Sequence, residues 1–183
     1  QDRFALVIGN GKYTGAAELR NPPNDAAAVA TALEKLDFKV SRAIDSDLSG
    51  TEKAVVAFRK SLTKKSVAVF FYAGHGLQVK GENFLVPVDA QIDEESQVKR
   101  KCYPVEELLT ELDGSPAALK IVILDSCRDN PLTRSWSRSA GSGLASITQV
   151  PDGTVIAFST APGKTALDGR GDLYVIHEEY HAR

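Results

Sequence analysis

The feature of this sequence that most constrains its fold is the alternation of short apolar runs with longer amphipathic ones. Apolar runs of strand length occupy 4–8, 38–40, 67–72, 119–124 and 154–159. The run at 67–72 is apolar almost throughout, as expected for a strand buried on both faces of a parallel sheet. Apolar residues at helical spacing in 26–36, 49–62 and 104–112 separate the first four runs. This order predicts an α/β fold with a mostly parallel central sheet flanked by helices on both faces.

The segments between these elements carry weaker signals. Asn24 and Asp25 are predicted to cap the first helix. Two alternating arms around 80–83 predict a β-hairpin directly after the third strand. The stretch 130–150 is rich in Ser, Arg and Gly, which predicts a mobile loop, and 173–176 is a candidate sixth strand.

Size and charge exclude several classes of protein. At 183 residues the chain is predicted to be a single domain, and a net charge of −2 gives no sign of a nucleic-acid partner. No apolar run reaches the roughly 20 residues of a membrane span. The turn at 9–12 matches neither common phosphate-loop pattern, so no nucleotide site is predicted. The chain begins at Gln1, and we expect a soluble protein, either cytoplasmic or exported after removal of a signal.

Two chemically reactive residues stand at the ends of neighbouring predicted strands. His75 lies between two glycines after the run 67–72, and Cys127 follows the run 119–124. Because functional groups collect beyond the carboxyl ends of parallel strands, the imidazole and the thiol are expected to meet at one edge of the sheet. A thiol beside an imidazole is a nucleophile with its general base. The backbone N–H groups of Gly76 and Cys127 are the candidate donors to an oxyanion.

A packed histidine beside a buried, inert thiol, or a zinc site, would also account for these residues. His75, Cys102 and Cys127 lack the spacing of metal ligands, and two cysteines do not make a disulfide framework. His177 and His181 do form an H-E-x-x-H string, but a third ligand would have to come from the two residues that follow. No metal ion is therefore predicted.

Several blocks of sequence carry a family resemblance. The strongest are Phe-Tyr-Ala-Gly-His-Gly at 71–76, Phe-Leu-Val-Pro-Val-Asp-Ala at 84–90 and Asp-Ser-Cys-Arg at 125–128. They resemble the caspase-like cysteine peptidases, and most of all the bacterial caspase homologues, the paracaspases and the metacaspases. The stretches 5–10, 19–26 and 36–40 are similar to the same proteins, so the resemblance covers about 3–165.

The resemblance implies a caspase-like fold, an α-β-α sandwich, in one peptidase domain over 1–183. A large-subunit-like part would occupy about 1–130, the loop about 130–150, and a small-subunit-like part about 151–183, which is short for the family. The resemblance also implies acyl transfer through a thioester, with Cys127 as the nucleophile and His75 as the general base.

The resemblance further implies a preference for a basic P1 side chain, the residue before the cleaved bond. Paracaspases and metacaspases hold Arg or Lys with acidic residues, and the matching positions here are Asp25 and Asp125, with Asp168 near the third. Two carboxylates that line one pocket favour a guanidinium, which can pair with them bidentately. The sequence thus predicts a cysteine endopeptidase that cuts after Arg or Lys. A different P1 preference and a non-catalytic interaction module, which would normally have lost His75 or Cys127, stay open as alternatives.

No cofactor is predicted. Asp89, Asp93, Glu94 and Glu95 form an acidic cluster, but a solvated loop face explains them as well as a calcium site does. The expected partner is a peptide or protein substrate with Arg or Lys at P1, and the choice between monomer and homodimer is left open.

The predicted loop after the nucleophile contains two basic residues, Arg134 and Arg138. An acidic P1 pocket would accept either of them. Self-cleavage at Arg134 or Arg138 is therefore a hypothesis of the sequence.

Overall fold

The computed structural model describes residues 2–127, 144, 145, 147, 150–159 and 174–176. The strands are β1 Arg3–Gly9, β2 Lys39–Ile44, β3 Val67–Val79, β4 Glu82–Leu85, β5 Tyr103–Pro104, β6 Leu119–Cys127, β7 Thr154–Phe158 and β8 Tyr174–Ile176. The helices are α1 Pro22–Lys35, α2 Leu48–Ser61, α3 Val98–Lys101 and α4 Val105–Asp113, with a 3-10 turn at Glu95–Gln97. The strand predicted at 173–176 corresponds to β8.

The central sheet is mostly parallel. Its strands follow the order β2-β1-β3-β6-β7-β8, and every neighbouring pair is parallel except β7 with β8. β4 and β5 extend the carboxyl end of β3 as a small antiparallel sheet. The predicted α/β fold with a mostly parallel sheet is therefore confirmed.

Alternate residues of β3 face two different layers of helices. Phe70 and Tyr72 belong to one buried cluster, together with residues of α2 and α4. Phe71 and Ala73 belong to another buried cluster, together with Ala26 of α1. Burial on both faces explains why the predicted third strand is apolar without alternation. The two helical layers confirm the predicted sandwich.

β3 is longer than predicted, because it exchanges partners along its length. Its parallel pairing with β1 ends at Ala73, and its pairing with β6 ends at His75. From Gly76 onward β3 pairs with β4 in a hairpin. Lys80 and Gly81, the two loop residues, both have positive φ, at 51° and 85°, which suits the twist of a two-residue hairpin. The predicted hairpin is confirmed, whereas the prediction that the third strand ends at His75 is wrong.

The first helix also begins earlier than predicted. Asn21 is its N-cap residue, and Pro22 and Pro23 occupy its first positions. Proline suits the first turn because its ring fixes a helical φ and its missing N–H would have no partner there. Asn24 and Asp25 therefore lie inside the first turn, and the prediction that they cap the helix is wrong. Among the described residues, no helix has the length and apolar character needed to cross a membrane.

Candidate active site

The parallel register of β3 and β6 places the predicted pair of residues side by side. His75 is the register partner of Cys127, and Ala73 is the register partner of Asp125. The Ala73–Asp125 pair is level with Gly9, where β1 stops pairing with β3, and the His75–Cys127 pair lies beyond it. The backbone of this sheet edge therefore brings His75 and Cys127 together, as the sequence predicts.

The imidazole of His75 is buried and held through one nitrogen. Only 2% of the residue is exposed, and its Nε2 lies 2.8 Å from the carbonyl oxygen of Ala17. A carbonyl oxygen can only accept a hydrogen bond, so Nε2 must carry a proton. Among the residues that the structure describes, none hydrogen-bonds to Nδ1. In the neutral ring, Nδ1 is consequently the nitrogen with the free lone pair.

Burial also decides the charge of His75. Loss of hydration lowers the pKa of the imidazole below its ordinary value of 6.5, and the contact with the Ala17 carbonyl opposes this shift with a smaller effect. The ring is therefore neutral at pH 7, and Nδ1 is available as a proton acceptor.

The loop between β1 and α1 holds this histidine. The ring of Tyr13 lies 4.5 Å from the imidazole, centroid to centroid, with an angle of 51° between the two planes. The carboxylate of Asp45 fixes the start of the loop, because its Oδ1 accepts the N–H groups of Gly11 at 2.8 Å and Lys12 at 3.0 Å. The sequence reasoning missed these contacts. Only the place of Tyr13, just after the turn that ends β1, could have suggested its role.

Gly74 is required by the two tyrosines that surround it. A Cβ atom at this position would lie 2.6 Å from the hydroxyl oxygen of Tyr13 and 2.7 Å from that of Tyr72. Gly74→Ala should therefore lower the free energy of unfolding by about 1–3 kcal/mol, because the backbone or the tyrosines must move. The same variant should lower kcat, since both hydroxyls contact the backbone of His75. Chemical denaturation and steady-state kinetics measure the two effects.

Gly81→Ala is the matched control for this variant. Among the described residues, no atom lies within 4 Å of a Cβ built on Gly81, whose φ of 85° makes alanine strained but not crowded. It should cost roughly 1–2 kcal/mol of stability and leave kcat unchanged. If Gly74→Ala kept full activity, the proposed tight contact around His75 would be wrong.

Gly76 is also closely packed. A Cβ atom there would lie 2.9 Å from the side chain of Ser126 and 3.1 Å from that of Leu144. Next to Leu144, the backbone of Ala145 is held by the side-chain amide of Asn83, which donates to its carbonyl at 3.0 Å and accepts from its N–H at 2.6 Å. The backbone of Gly76 is thus fixed between β6 and a segment that follows it, and its role as an oxyanion donor stays a prediction.

The predicted P1 acids occupy different environments. Asp125 is half-buried on β6, and Asp25 is exposed in the first turn of α1. Ala26, which follows Asp25, packs in one cluster with Ala73, the register partner of Asp125. Asp125 therefore lies beside Ala73 in the sheet, and Asp25 directly precedes the residue of α1 that packs in the same cluster. The other predicted site residues, Asp168, Arg134 and Arg138, lie outside the described residues, as do the side chain of Cys127 and the rejected metal candidates His177 and His181.

The second cysteine has the properties of an inert thiol. Cys102 is 2% exposed, and burial, with a smaller effect of the Asp89 carboxylate, raises the pKa of its thiol to about 12. Among the described residues, no group of three or more His, Cys, Asp or Glu side chains is placed to hold a metal ion. Within the acidic cluster, the carboxylate of Glu95 lies 3.9 Å from the ammonium of Lys80.

Sequence comparison places the chain among known proteins. The family model described as Caspase domain matches residues 2–174. Mucosa-associated lymphoid tissue lymphoma translocation protein 1 of Homo sapiens is 34% identical over 128 residues, which cover 70% of this chain and 15% of that protein. Its homolog in Mus musculus gives the same identity and coverage. The chain thus spans only 15% of the length of these curated relatives.

Solved structures share the fold at low sequence identity. A Geobacter sulfurreducens protein, GSU0716, has a TM-score of 0.69 and 16% identity, with 93% of this chain and 78% of that chain covered. The Drosophila initiator caspase Dronc has a TM-score of 0.58 and 11% identity, with 87% of this chain and 56% of its own covered. The family model spans nearly the whole sequence, and the fold is similar to that of a solved caspase. The chain belongs to the caspase domain family.

Proposed function

We propose that this domain is a cysteine endopeptidase that hydrolyses the peptide bond after Arg or Lys. One observation carries the proposal. The imidazole of His75 is neutral, is held through Nε2 by the carbonyl of Ala17, and lies at the register position opposite Cys127. A base so oriented, beside a thiol, is what nucleophilic attack by sulfur requires.

In the first half of the proposed reaction, Nδ1 of His75 takes the proton of the Cys127 thiol. The sulfur attacks the carbonyl carbon of the substrate, a C–S bond forms, and the carbonyl oxygen becomes an oxyanion. The imidazolium then gives its proton to the leaving amine as the C–N bond breaks, which leaves a thioester. The Ala17 carbonyl stabilises the imidazolium throughout, because it accepts a hydrogen bond from Nε2–H.

In the second half, water hydrolyses the thioester. Nδ1 of His75 takes a proton from the water as its oxygen bonds to the thioester carbon. The C–S bond then breaks, the imidazolium returns the proton to the sulfur, and the carboxylic acid product leaves. The N–H groups of Gly76 and Cys127 are the proposed donors to the oxyanion in both halves. These steps use only protein groups and water, so we propose no cofactor.

The basic P1 preference rests on charge. The proposal is supported by the position of Asp125 two residues before Cys127 on β6, and by the packing of Ala26, the neighbour of Asp25, against the same layer as Ala73. Two carboxylates near the reacting bond would bind a guanidinium with charge-assisted hydrogen bonds and would repel an acidic side chain. Asp168 is the third proposed member of this pocket.

A panel of fluorogenic peptides that differ only at P1 tests this proposal. Peptides with Arg or Lys at P1 should be hydrolysed with a kcat/KM at least roughly 100-fold above the Asp peptide, because like charges in one pocket cost several kcal/mol. Each assay is run with and without calcium to test ion dependence directly. The variant Asp125→Asn should narrow the difference between Arg and Asp.

The exposed acid Asp113, at the end of α4, provides the matched control. Asp113→Asn removes one carboxylate on the amino-terminal side of β6, whereas Asp125 lies near the carboxyl end of that strand, so the P1 preference should be unchanged. Faster hydrolysis of the Asp peptide would contradict the basic pocket but not the nucleophile. Absence of hydrolysis for every peptide would contradict the proposed activity itself.

A further inference from the structure

The peptide group of His75 faces a gap in the central sheet. Two residues earlier on β3, the carbonyl of Ala73 still accepts a hydrogen bond from the N–H of Asn10, the residue immediately after β1. Beyond this point β1 has given way to the loop that leads to α1. In a parallel ladder, residues two apart turn their N–H and C=O groups to the same neighbour, so the groups of His75 face the place that β1 has left.

Side chains and the hairpin fill this gap. The N–H of His75 donates to the hydroxyl oxygen of Tyr13 at 2.8 Å. Its carbonyl accepts the N–H of Val86 at 3.1 Å and the hydroxyl of Tyr72 at 2.7 Å. A buried N–H without a partner is costly, so the Tyr13 hydroxyl substitutes for the missing strand.

Tyr13 also contacts the imidazole itself. Its ring lies 4.5 Å from the imidazole, and the same loop supplies the Ala17 carbonyl that holds Nε2. Tyr13 therefore fixes the backbone of His75 through its hydroxyl and packs its ring against one side of the imidazole. Displacement of the Tyr13 hydroxyl would move the base relative to the strand that carries Cys127.

We propose that Tyr13 is a positioning residue for the general base, and that its hydroxyl keeps His75 in the tautomer with the proton on Nε2. This proposal rests on the proposed function for its kinetic consequence. Its spectroscopic consequence does not depend on activity. Tyr13 acts on the tautomer indirectly, because it holds the backbone of His75 where Nε2 can donate to the Ala17 carbonyl.

The test is Tyr13→Phe, which removes the hydroxyl and keeps the ring. With an Arg peptide, kcat should fall roughly 10- to 100-fold while KM changes little, because misplacement of a base slows the chemical step more than binding. Tyr103→Phe is the matched control. Tyr103 is as deeply buried, on β5, and within the described part of the chain its hydroxyl makes no hydrogen bond to His75. It should keep the wild-type kcat.

Nitrogen NMR of protein labelled with ¹⁵N at histidine reports the tautomer of His75. A loss of stability alone would not change that tautomer in the folded protein. The chain has three histidines, and the signals of His75 are those absent from His75→Gln. Wild type and Tyr103→Phe should show His75 as a single tautomer protonated on Nε2. Tyr13→Phe should show a mixture of tautomers, with the pKa of His75 displaced.

If Tyr13→Phe does not fold, a second variant with a smaller change tests the same hydroxyl. Incorporation of 3-fluorotyrosine at position 13 keeps the hydroxyl but weakens it as an acceptor, and should give a smaller loss of kcat and a shifted His75 signal. Unchanged kcat and a single Nε2 tautomer in the folded variant would overturn the proposal. If the wild type shows no peptidase activity, the proposed function fails, and the tautomer comparison still decides the role of Tyr13.

Discussion

Replacement of Cys127 by Ala should abolish hydrolysis of an Arg-P1 peptide. The variant removes the sulfur that forms the thioester, and loss of a nucleophile costs at least about 1,000-fold in kcat/KM. The fold should survive, because Cys127 is the last residue of β6 and alanine keeps the backbone pairing with β3. Active-site kinetics and thermal unfolding of the same preparation measure the two properties.

Cys102→Ala is the control for this prediction, because it also removes one thiol. Cys102 lies in a buried cluster that includes Leu77 and Val98, and it takes no part in the proposed chemistry. The control should lose some stability and keep its kcat/KM. If both cysteine variants were equally active, a nucleophile other than Cys127 would be required.

Loss of the base at His75 should have the second largest effect. In His75→Gln the side-chain amide can still donate to the Ala17 carbonyl, but it has no basic nitrogen in place of Nδ1. Because a positioned general base contributes about 100- to 10,000-fold, kcat should fall within this range while the protein stays folded. The assay is the same Arg-peptide hydrolysis, with circular dichroism to show that the variant is folded.

The pH dependence of kcat/KM in the wild type also tests the role of His75, because the direction of its pKa shift fixes where activity should be lost. Burial lowers the pKa of His75, so the neutral, active form persists below pH 6.5, and kcat/KM should fall only at more acidic pH. Stability should follow the same direction. The unfolded chain takes up the proton first as the pH falls below 6.5, so unfolding becomes easier there.

His75→Gln should lack both effects of His75 on the pH profile. An acid limb centred above pH 6.5 would contradict a desolvated base. An identical acid limb in the residual activity of His75→Gln would assign that limb to another group.

Much of the fold follows from the sequence because parallel strands buried on both faces must be apolar throughout. The run at 67–72 satisfies this condition, as does 121–124 in the neighbouring strand, and their order in the chain brings His75 beside Cys127. The start of α1 shows where local rules compete. Asn24 and Asp25 favour a cap, but Pro22 and Pro23 favour the first turn, and the prolines determine the structure.

The support of the base could not be predicted in the same way. The contact of His75 with Ala17 uses a backbone carbonyl, which every residue possesses, so only the path of the loop selects it. The change of partner along β3 depends on where β1 and β6 end, not on the residues of β3 itself. Tyr72 lies within the block that carries the family resemblance, but its hydroxyl contact with His75 requires the hairpin to be in place.

Covalent labelling by a peptide with an arginyl chloromethyl ketone tests the central claim most directly. Alkylation requires a bound basic side chain, a reactive thiol and a correctly placed base, so one experiment examines all three. Mass spectrometry should find a single adduct on Cys127, formed more slowly in His75→Gln and absent from Cys127→Ala. A folded protein that gives no adduct on Cys127, or that is modified as readily on Cys102, would contradict this account.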